Sequence, residues 1–270
     1  MNIYNNIEIV DLALLIDKTL VISDTHIGFE EALNKQGILV PRFQFSEIIK
    51  RLEKILKLKK INRIIINGDV KHEFGRISDQ EWRHTLKLLD FLTKYGKVIL
   101  LKGNHDTILG PIAKKRNVQI KDYFICEFNE NQRFSRLKSE ILINKKKINI
   151  KKSLKKIKNK KIKILIIHGD KLDNNILKLI KKTDVIIIGH EHPAVSIKEG
   201  PRVETYKCFL KGKFKGKKLI VQPSFNLVTE GTDIIKEKLL SPFLYQNLSN
   251  FEVYVVADKV YDFGKLRNLK

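Results

Sequence analysis

Residues 20–26 read LVISDTH: an apolar run, a serine, and then an aspartate and a histidine one residue apart. The same arrangement recurs four times, as IIINGDVKH at 64–72, VILLKGNHD at 98–106, ILIIHGD at 164–170 and VIIIGHEH at 185–192. Six of the seven histidines fall in these five clusters. Short apolar runs without polar alternation suit strands covered on both faces. In open α/β sheets, ligands gather in the crevice beyond the carboxyl ends of such strands. Five runs that each end in Asp, Asn or His therefore predict one site assembled from many strand ends, and that site reads as a two-metal centre.

Side-chain direction supports this reading. Residues i and i+2 of an extended segment face the same way, so Asp24 with His26, and His190 with His192, can each reach a common point. Asn104 and His105 are neighbours and must diverge, so that one can ligate while the other addresses a substrate. The ligand set mixes carboxylate, carboxamide and imidazole without thiolate. That chemistry argues against iron–sulfur clusters, copper(I) or structural zinc. Manganese is the first choice, with iron(II), zinc or nickel as alternatives. Two divalent ions bring four positive charges, and Asp24 and Asp69 return two negative ones, leaving a site suited to an anion such as a phosphate ester. Metals about 3.5–4 Å apart can clamp the attacking and leaving oxygens of an in-line displacement.

The series D-x-H, G-D-x-x-H, G-N-H-D, H-G-D and G-H-x-H, spread over residues 20–193, resembles that of the calcineurin-like metallophosphoesterases. The resemblance implies an α/β fold with four layers (α/β/β/α), two stacked mixed sheets flanked by helices. It implies that Asp24, His26 and His192 hold one metal, that Asn104, His168 and His190 hold the other, and that Asp69 bridges the pair. His105 matches the family's histidine that contacts the scissile phosphate and protonates the leaving group, with Asp106 as its orienting partner. A hydroxide activated by the metals would attack phosphorus. A finer likeness rests on ISDTHIGFEEALNKQGILVPRFQF, INGDVKHEFG, KCFLKGK and VQPSFN. These stretches are similar to the metallophosphoesterase subfamily associated with DNA ligases and helicases, which implies a phosphodiesterase in nucleic-acid processing and repair proteins as partners.

Other candidates keep more than one reading. His72 suits a group orienting a ligand, a substrate contact, or an ordinary loop histidine. Arg42, in VPRFQF, suits either a substrate phosphate or a structural ion pair. His84 lies in EWRHTLKLLDFL, a helical pattern with Ser78 and Glu81 as a capping box, and reads as a surface-helix residue.

The 270 residues suit a single domain spanning 1–270, with a lysine-rich insertion at about 127–163. The segments SEIIKRLEKILKL, QEWRHTLKLLDFLTK and DNNILKLIKK read as helices alternating with strands. VETYKCFL, KKLIVQPSF and FEVYVVAD read as strands. Within the insertion, Ile148 and Ile150 alternate like a strand, while Ser153, Leu154 and Ile157 suggest a short capped helix. Cys126 and Cys208 lack metal or redox spacing, so they read as reduced structural thiols. No apolar stretch reaches 18 residues and the first residues carry no signal-peptide pattern, so a soluble cytoplasmic protein without a membrane partner is expected.

The net charge of +23 makes a polyanionic partner plausible. Residues 145–163 hold eleven lysines and no acid, and Lys207 to Lys218 form a second cluster. Both segments suggest a phosphate backbone tracked towards the metals; the competing explanation is the composition of a heat-adapted protein. The expected activity is hydrolysis of phosphodiester bonds in nucleic acids or nucleotides. The alternatives are a small-molecule phosphomonoesterase or cyclic-nucleotide phosphodiesterase, and a non-catalytic protein-binding scaffold of the same fold.

Overall fold

The computed structural model describes residues 1–129 and 161–269. The first sheet is built in chain order from seven strands. An antiparallel meander of β1 (Asn2–Tyr4), β2 (Ile7–Val10), β3 (Ala13–Ile16) and β4 (Thr19–Ile22) leads into three further strands parallel to β4. These are β5 (Arg63–Asn67), β6 (Lys97–Leu101) and β7 (Gln119–Lys121). The crossovers carry α1 (Phe29–Lys35), α2 (Gln44–Leu58), α3 (Asp79–Leu92) and α4 (Gly110–Lys115).

The second sheet has nine strands. It starts with the antiparallel pair β8 (Tyr123–Asn129) and β9 (Lys161–Ile167), followed by α5 (Asn174–Lys181) and β10 (Val185–Ile188). Next come β11 (Pro193–Glu199), β12 (Arg202–Phe214), β13 (Lys217–Val221) and β14 (Thr232–Asp233), and β15 (Glu252–Val256) with β16 (Val260–Lys265) completes it. Strands β9, β10 and β13 run parallel, with Ile187 level with both Ile166 and Ile220.

The uninterrupted apolar runs are explained by burial on both faces. In β9, Ile164 and Ile166 join the core shared with the first sheet, while Leu165 and Ile167 join a second core on the outer face. Val185 and Ile187 of β10 likewise face the first core, and Ile186 and Ile188 face the second. The helices follow the same logic. Ile48, Leu52, Ile55 and Leu56 of α2, and Leu88, Leu89 and Leu92 of α3, pack into the core of the first sheet. Ile180 of α5 is buried in the second core, with Ile176 and Leu179 packed against it. Each such side chain contributes about 1.5–3 kcal/mol through burial. Two mixed sheets with helices against them make up the α/β architecture expected from the sequence. Cys126 and Cys208 are unpaired thiols, both pushed up in pKa by burial. Among the described residues, no helix is long and apolar enough to cross a membrane.

Two observations bear on the basic segments. At the two ends of the expected 127–163 insertion, residues 127–129 and 161–163 are paired strand: Glu127 faces Lys163, and Asn129 faces Lys161. The expected strand at Ile148 and Ile150 and the helix at Ser153, Leu154 and Ile157 lie outside the described residues. Lys161 stands where β9 begins, whereas His168 follows where β9 ends, and seven residues at ~3.3 Å each separate the two by roughly 20 Å. The Lys207–Lys218 cluster runs along β12 from the PSFN side of the site to the far end of β13, so only its Lys207 end lies near the metal-type residues. Its turn at Lys215 and Gly216 lies before β13, again at the opposite edge. Lys207 Nζ is turned inward, donating to Ser224 Oγ at 2.8 Å and Thr229 O at 2.6 Å, and Lys211 Nζ donates to Ile3 O at 3.1 Å.

The capping box at α3 extends beyond the helix. Glu81 N donates to Ser78 Oγ at 3.2 Å, and Glu81 Oε2 accepts from Ser78 N at 2.6 Å. The other oxygen, Oε1, accepts from His72 N at 2.9 Å and Glu73 N at 2.6 Å. One buried carboxylate thus fixes both ends of the 72–78 loop. Ser78→Ala should cost about 1 kcal/mol in urea unfolding. Glu81→Ala should cost at least about 2 kcal/mol, because three backbone N–H groups lose their acceptor. Equal losses would show that the loop does not depend on Glu81.

Candidate metal centre

All five clusters converge beyond the carboxyl ends of β4, β5, β6, β9 and β10, but not by the route expected. The i, i+2 argument assumed extended backbone. Instead Asp24 (φ 53°), His26 (φ 42°), Asp69 (φ 45°), His190 (φ 61°) and His192 (φ 51°) all occupy the left-handed region. The chain coils back after these strands, so that Asp24 and His26 meet through a turn and not through pleat, while His190 and His192 part into different groups. Such residues cost on the order of 1–3 kcal/mol each and persist only where the surroundings over-determine them. Here the loops brace one another. Asp24 N donates to Gly68 O at 3.2 Å, His26 N to Asp69 O at 2.9 Å, and Gly189 N to His168 O at 2.9 Å.

Two triads stand out, each with one ligand atom per residue within 4.8 Å of the others: Asp24, His26 and His192, and Asp69, His168 and His190. Asp24 Oδ1 lies 3.4 Å from His192 Nε2, and His26 Nε2 lies 3.3 Å from the same nitrogen. In the second group, His168 Nε2 lies 3.2 Å from His190 Nδ1 and 2.9 Å from Asn104 Oδ1. Asp69 Oδ2 sits between the groups, 3.3 Å from His168 Nε2 and 3.7 Å from His26 Nε2.

This donor set fits divalent cations. Asp24 Oδ1 is buried and accepts no hydrogen bond, a state that costs about 1–3 kcal/mol in a neutral setting. Two pairs of imidazole nitrogens approach within 3.2–3.3 Å. Opposed lone pairs at that separation repel unless a proton or a shared cation lies between them. Oxygen and imidazole donors together suit manganese, iron or zinc.

Electrostatics favour a cation at the same point. Burial opposes the Asp24 charge, yet the charge of His192, with that of His168 behind it, holds its carboxyl below the usual range. Asp69 is likewise lowered, against burial, by the hydrogen bond and charge of His168 and the charges of His26 and His105. Burial depresses His26 and His190. His168 is the exception: its hydrogen bond to Asp69 and the Asp69 and Asp24 charges overcome burial and push it up to about 10.

His105 Nδ1 meets the main-chain carbonyl of His72, which can only accept, so Nδ1 carries the hydrogen. Nε2 is left facing the Asp69 edge at 3.9 Å. The expectation that Asp106 orients the His105 ring is not met. The Asp106 carboxylate accepts from Val70 N at 3.0 Å and Gly103 N at 3.2 Å, tying the β5 loop to the β6 loop. Burial and the Asp69 charge push Asp106 up to about 6. His72 joins His26 and His105 in a third cluster, and its ring stacks on Phe29 at 4.2 Å. Burial, and then the His105 charge, lower it to about 4. Arg42 is exposed at the start of α2 and forms no ion pair among the described residues. His84 stacks on Phe45, away from the clusters, as a surface-helix histidine should.

Several supporting groups escaped the sequence. Asn226 N donates to Asp24 O at 3.0 Å and Phe225 N to Ser23 O at 2.7 Å, so the PSFN segment after β13 braces the first ligand loop. Gln44 Nε2 links Thr25 O at 2.9 Å to Asn226 Oδ1 at 2.8 Å. Glu191, between the two ligating histidines, turns away and accepts from Leu240 N at 2.9 Å and Ser241 N at 2.7 Å. These partners lie up to 202 positions apart, as Asn226 and Asp24 do, and no local pattern announces them.

Gly189 shows how tight the centre is, since a Cβ there would overlap Ser23 Oγ and Asp24 Oδ2. Gly189→Ala should therefore displace Asp24 and lower bound metal in elemental analysis. Gly110→Ala, in open space at the start of α4, should leave it unchanged. Asp69→Asn should weaken both metals because its Oδ2 faces both groups. Retention of one full-occupancy metal in Asp69→Asn would show that the carboxylate serves a single ion.

The comparisons agree with this geometry. Residues 18–204 match the family model described as calcineurin-like phosphoesterase. No curated protein matches the sequence. The fold is similar to that of a Pseudomonas putida nuclease MPE, at 17% identity over 94% of this chain and 92% of that chain, with a TM-score of 0.55. Vacuolar Protein Sorting 29 from Cryptosporidium parvum is more distant, at 15% identity over 92% of this chain and 97% of that chain, with a TM-score of 0.39. A match over residues 18–204, a span that contains all five strand ends with clustered aspartates and histidines, places the chain in the calcineurin-like phosphoesterase family.

Proposed function

We propose that the protein is a dinuclear-metal phosphodiesterase acting on nucleic-acid ends or nucleotides. The observation that carries the reading is the setting of His105. Its Nδ1 is committed to the His72 carbonyl, and its free Nε2 stands 3.9 Å from the carboxylate shared by both ligand groups. A scaffold that had lost chemistry would have no use for such a histidine.

In this reading Asp24, His26 and His192 hold one ion, Asn104, His168 and His190 the other, and Asp69 bridges them. Two divalent ions, manganese first among them, supply Lewis acidity that acidifies water and offsets phosphate charge. The chain itself holds the ligands in a buried crevice and presents His105 Nε2 to the departing oxygen; in the doubly protonated ring, Nε2–H gives that oxygen its proton while Nδ1–H stays on the His72 carbonyl. Asp106 acts at a distance by pinning the β5 and β6 loops together.

The nucleic-acid assignment draws on the likeness to nuclease MPE, on the ligase- and helicase-associated motifs and on the net charge of +23. Repair proteins of the ligase or helicase type are the partners this reading implies. Hydrolysis of small phosphoesters is a second reading, favoured by Lys207 being turned inward and by the turn at Lys215 and Gly216 lying at the end of β13 opposite the site. A manganese-supplemented panel of aryl monoester, aryl diester, cyclic nucleotides and oligonucleotides separates the two. Turnover confined to the small esters would remove the nucleic-acid assignment.

His105→Ala should retain both metals and lose about 10²–10⁴ in turnover on substrates with poor leaving groups, the usual worth of a positioned proton donor. The loss should be smaller with a nitrophenolate leaving group, which departs without protonation. Equal losses on both would leave His105 only a phosphate-positioning role.

A further inference from the structure

We propose that Phe74 is a stacking platform for a planar group on the departing side of the substrate, a nucleobase under the phosphodiesterase reading on which this inference rests. Phe74 is 58% exposed although it is a large apolar residue beside the candidate site. Its ring centre lies 3.7 Å from that of His105, with the planes tilted by 34°. Behind them His72 follows at 5.4 Å from His105, and Phe29 stacks on His72 at 4.2 Å. Four rings thus form a row that starts half-buried at Phe29 and ends in solvent at Phe74.

The position of Phe74 in that row names the side of the substrate it meets. His105 is the group assigned to the leaving oxygen, so a ring packed against it lies along the path of the leaving group. The loop that carries Phe74 is held by Glu81, through the hydrogen bonds to His72 N, Glu73 N and Ser78 N, and by the Arg76–Glu73 ion pair at 2.8 Å. An aromatic side chain on an anchored loop loses little conformational freedom when a base stacks on it. The pairing of Glu73 with Arg76 also masks a carboxylate that would repel a polyanion. Stacking on an aromatic side chain is worth about 1–3 kcal/mol per base and is indifferent to base identity. Phe74 would therefore select for a planar leaving group without selecting its sequence.

The test uses manganese-loaded full-length protein and two diesters, dithymidine monophosphate and the methyl ester of thymidine 3′-phosphate, in which methanol replaces the departing nucleoside. Phe74→Ala should lower kcat/KM for the dinucleotide about tenfold, mainly through KM, and change the methyl ester less than about twofold. Phe74→Trp should restore the dinucleotide. Equal losses on both diesters would overturn the proposal and make Phe74 a mere support for the His105 ring; no loss on either would overturn it outright. If the wild-type protein hydrolyses neither diester, the phosphodiesterase reading fails, and binding decides the stacking claim. Phe74→Ala should then weaken thymidine 5′-phosphate about tenfold and leave inorganic phosphate unchanged; equal behaviour towards both would overturn it.

Discussion

Asp69 cannot be buried alone. Its carboxylate is 2% exposed, and an isolated charge there would cost several kcal/mol. Its oxygens are answered from three directions: the His105 main chain, the His168 ring and the His26 ring. Those three groups come from the ends of three strands in two different sheets. The stacking of the sheets is therefore coupled to one buried charge, and the loops beyond β4, β5, β6, β9 and β10 can settle only when all of them are present.

The layers make that convergence rigid. Alternate residues of β9 and β10 fill two separate cores, so neither strand can slip by one position without exchanging its inner and outer faces. A polar link reinforces the register, as Gln222 Nε2 from the end of β13 reaches across to Val21 O of β4 at 3.1 Å. Ligand loops on such strands inherit a fixed separation. The 72–78 loop, anchored through Glu81 to α3, extends the same rigidity to the rim.

What was legible in the chain was whatever is encoded locally. The runs LVIS, VILLK and VIII announced buried strands, the Asp and His residues after them announced a shared site, and Ser78 with Glu81 announced a helix start. Two things were not local. The left-handed turns at Asp24, His26, Asp69, His190 and His192 come from loop bracing between strands distant in sequence, so pleat geometry paired Asp24 with His26 for the wrong reason and paired His190 with His192, which fall in different groups. Asp106 looked like a partner for its neighbour His105, yet its carboxylate is claimed by main-chain N–H groups at Val70 and Gly103. The Lys207–Lys218 cluster misled in a related way: its charge is visible in the sequence, but not that Lys207 turns inward while Lys215 to Lys218 land at the far end of β13.

The conformation of the turn residues has a consequence for what the site can be made of. Outside glycine, the side chains that enter left-handed backbone most readily are Asn, Asp and His, which are also oxygen and nitrogen donors for divalent ions. The backbone and the cation thus draw on one alphabet. An exchange that keeps the donor but leaves that alphabet, such as Asp24 to glutamate, would meet resistance from the main chain before coordination was ever tested. Drift among Asp, Asn and His stays open. The polypeptide itself narrows the ligand chemistry this fold can explore, independently of any demand from the reaction.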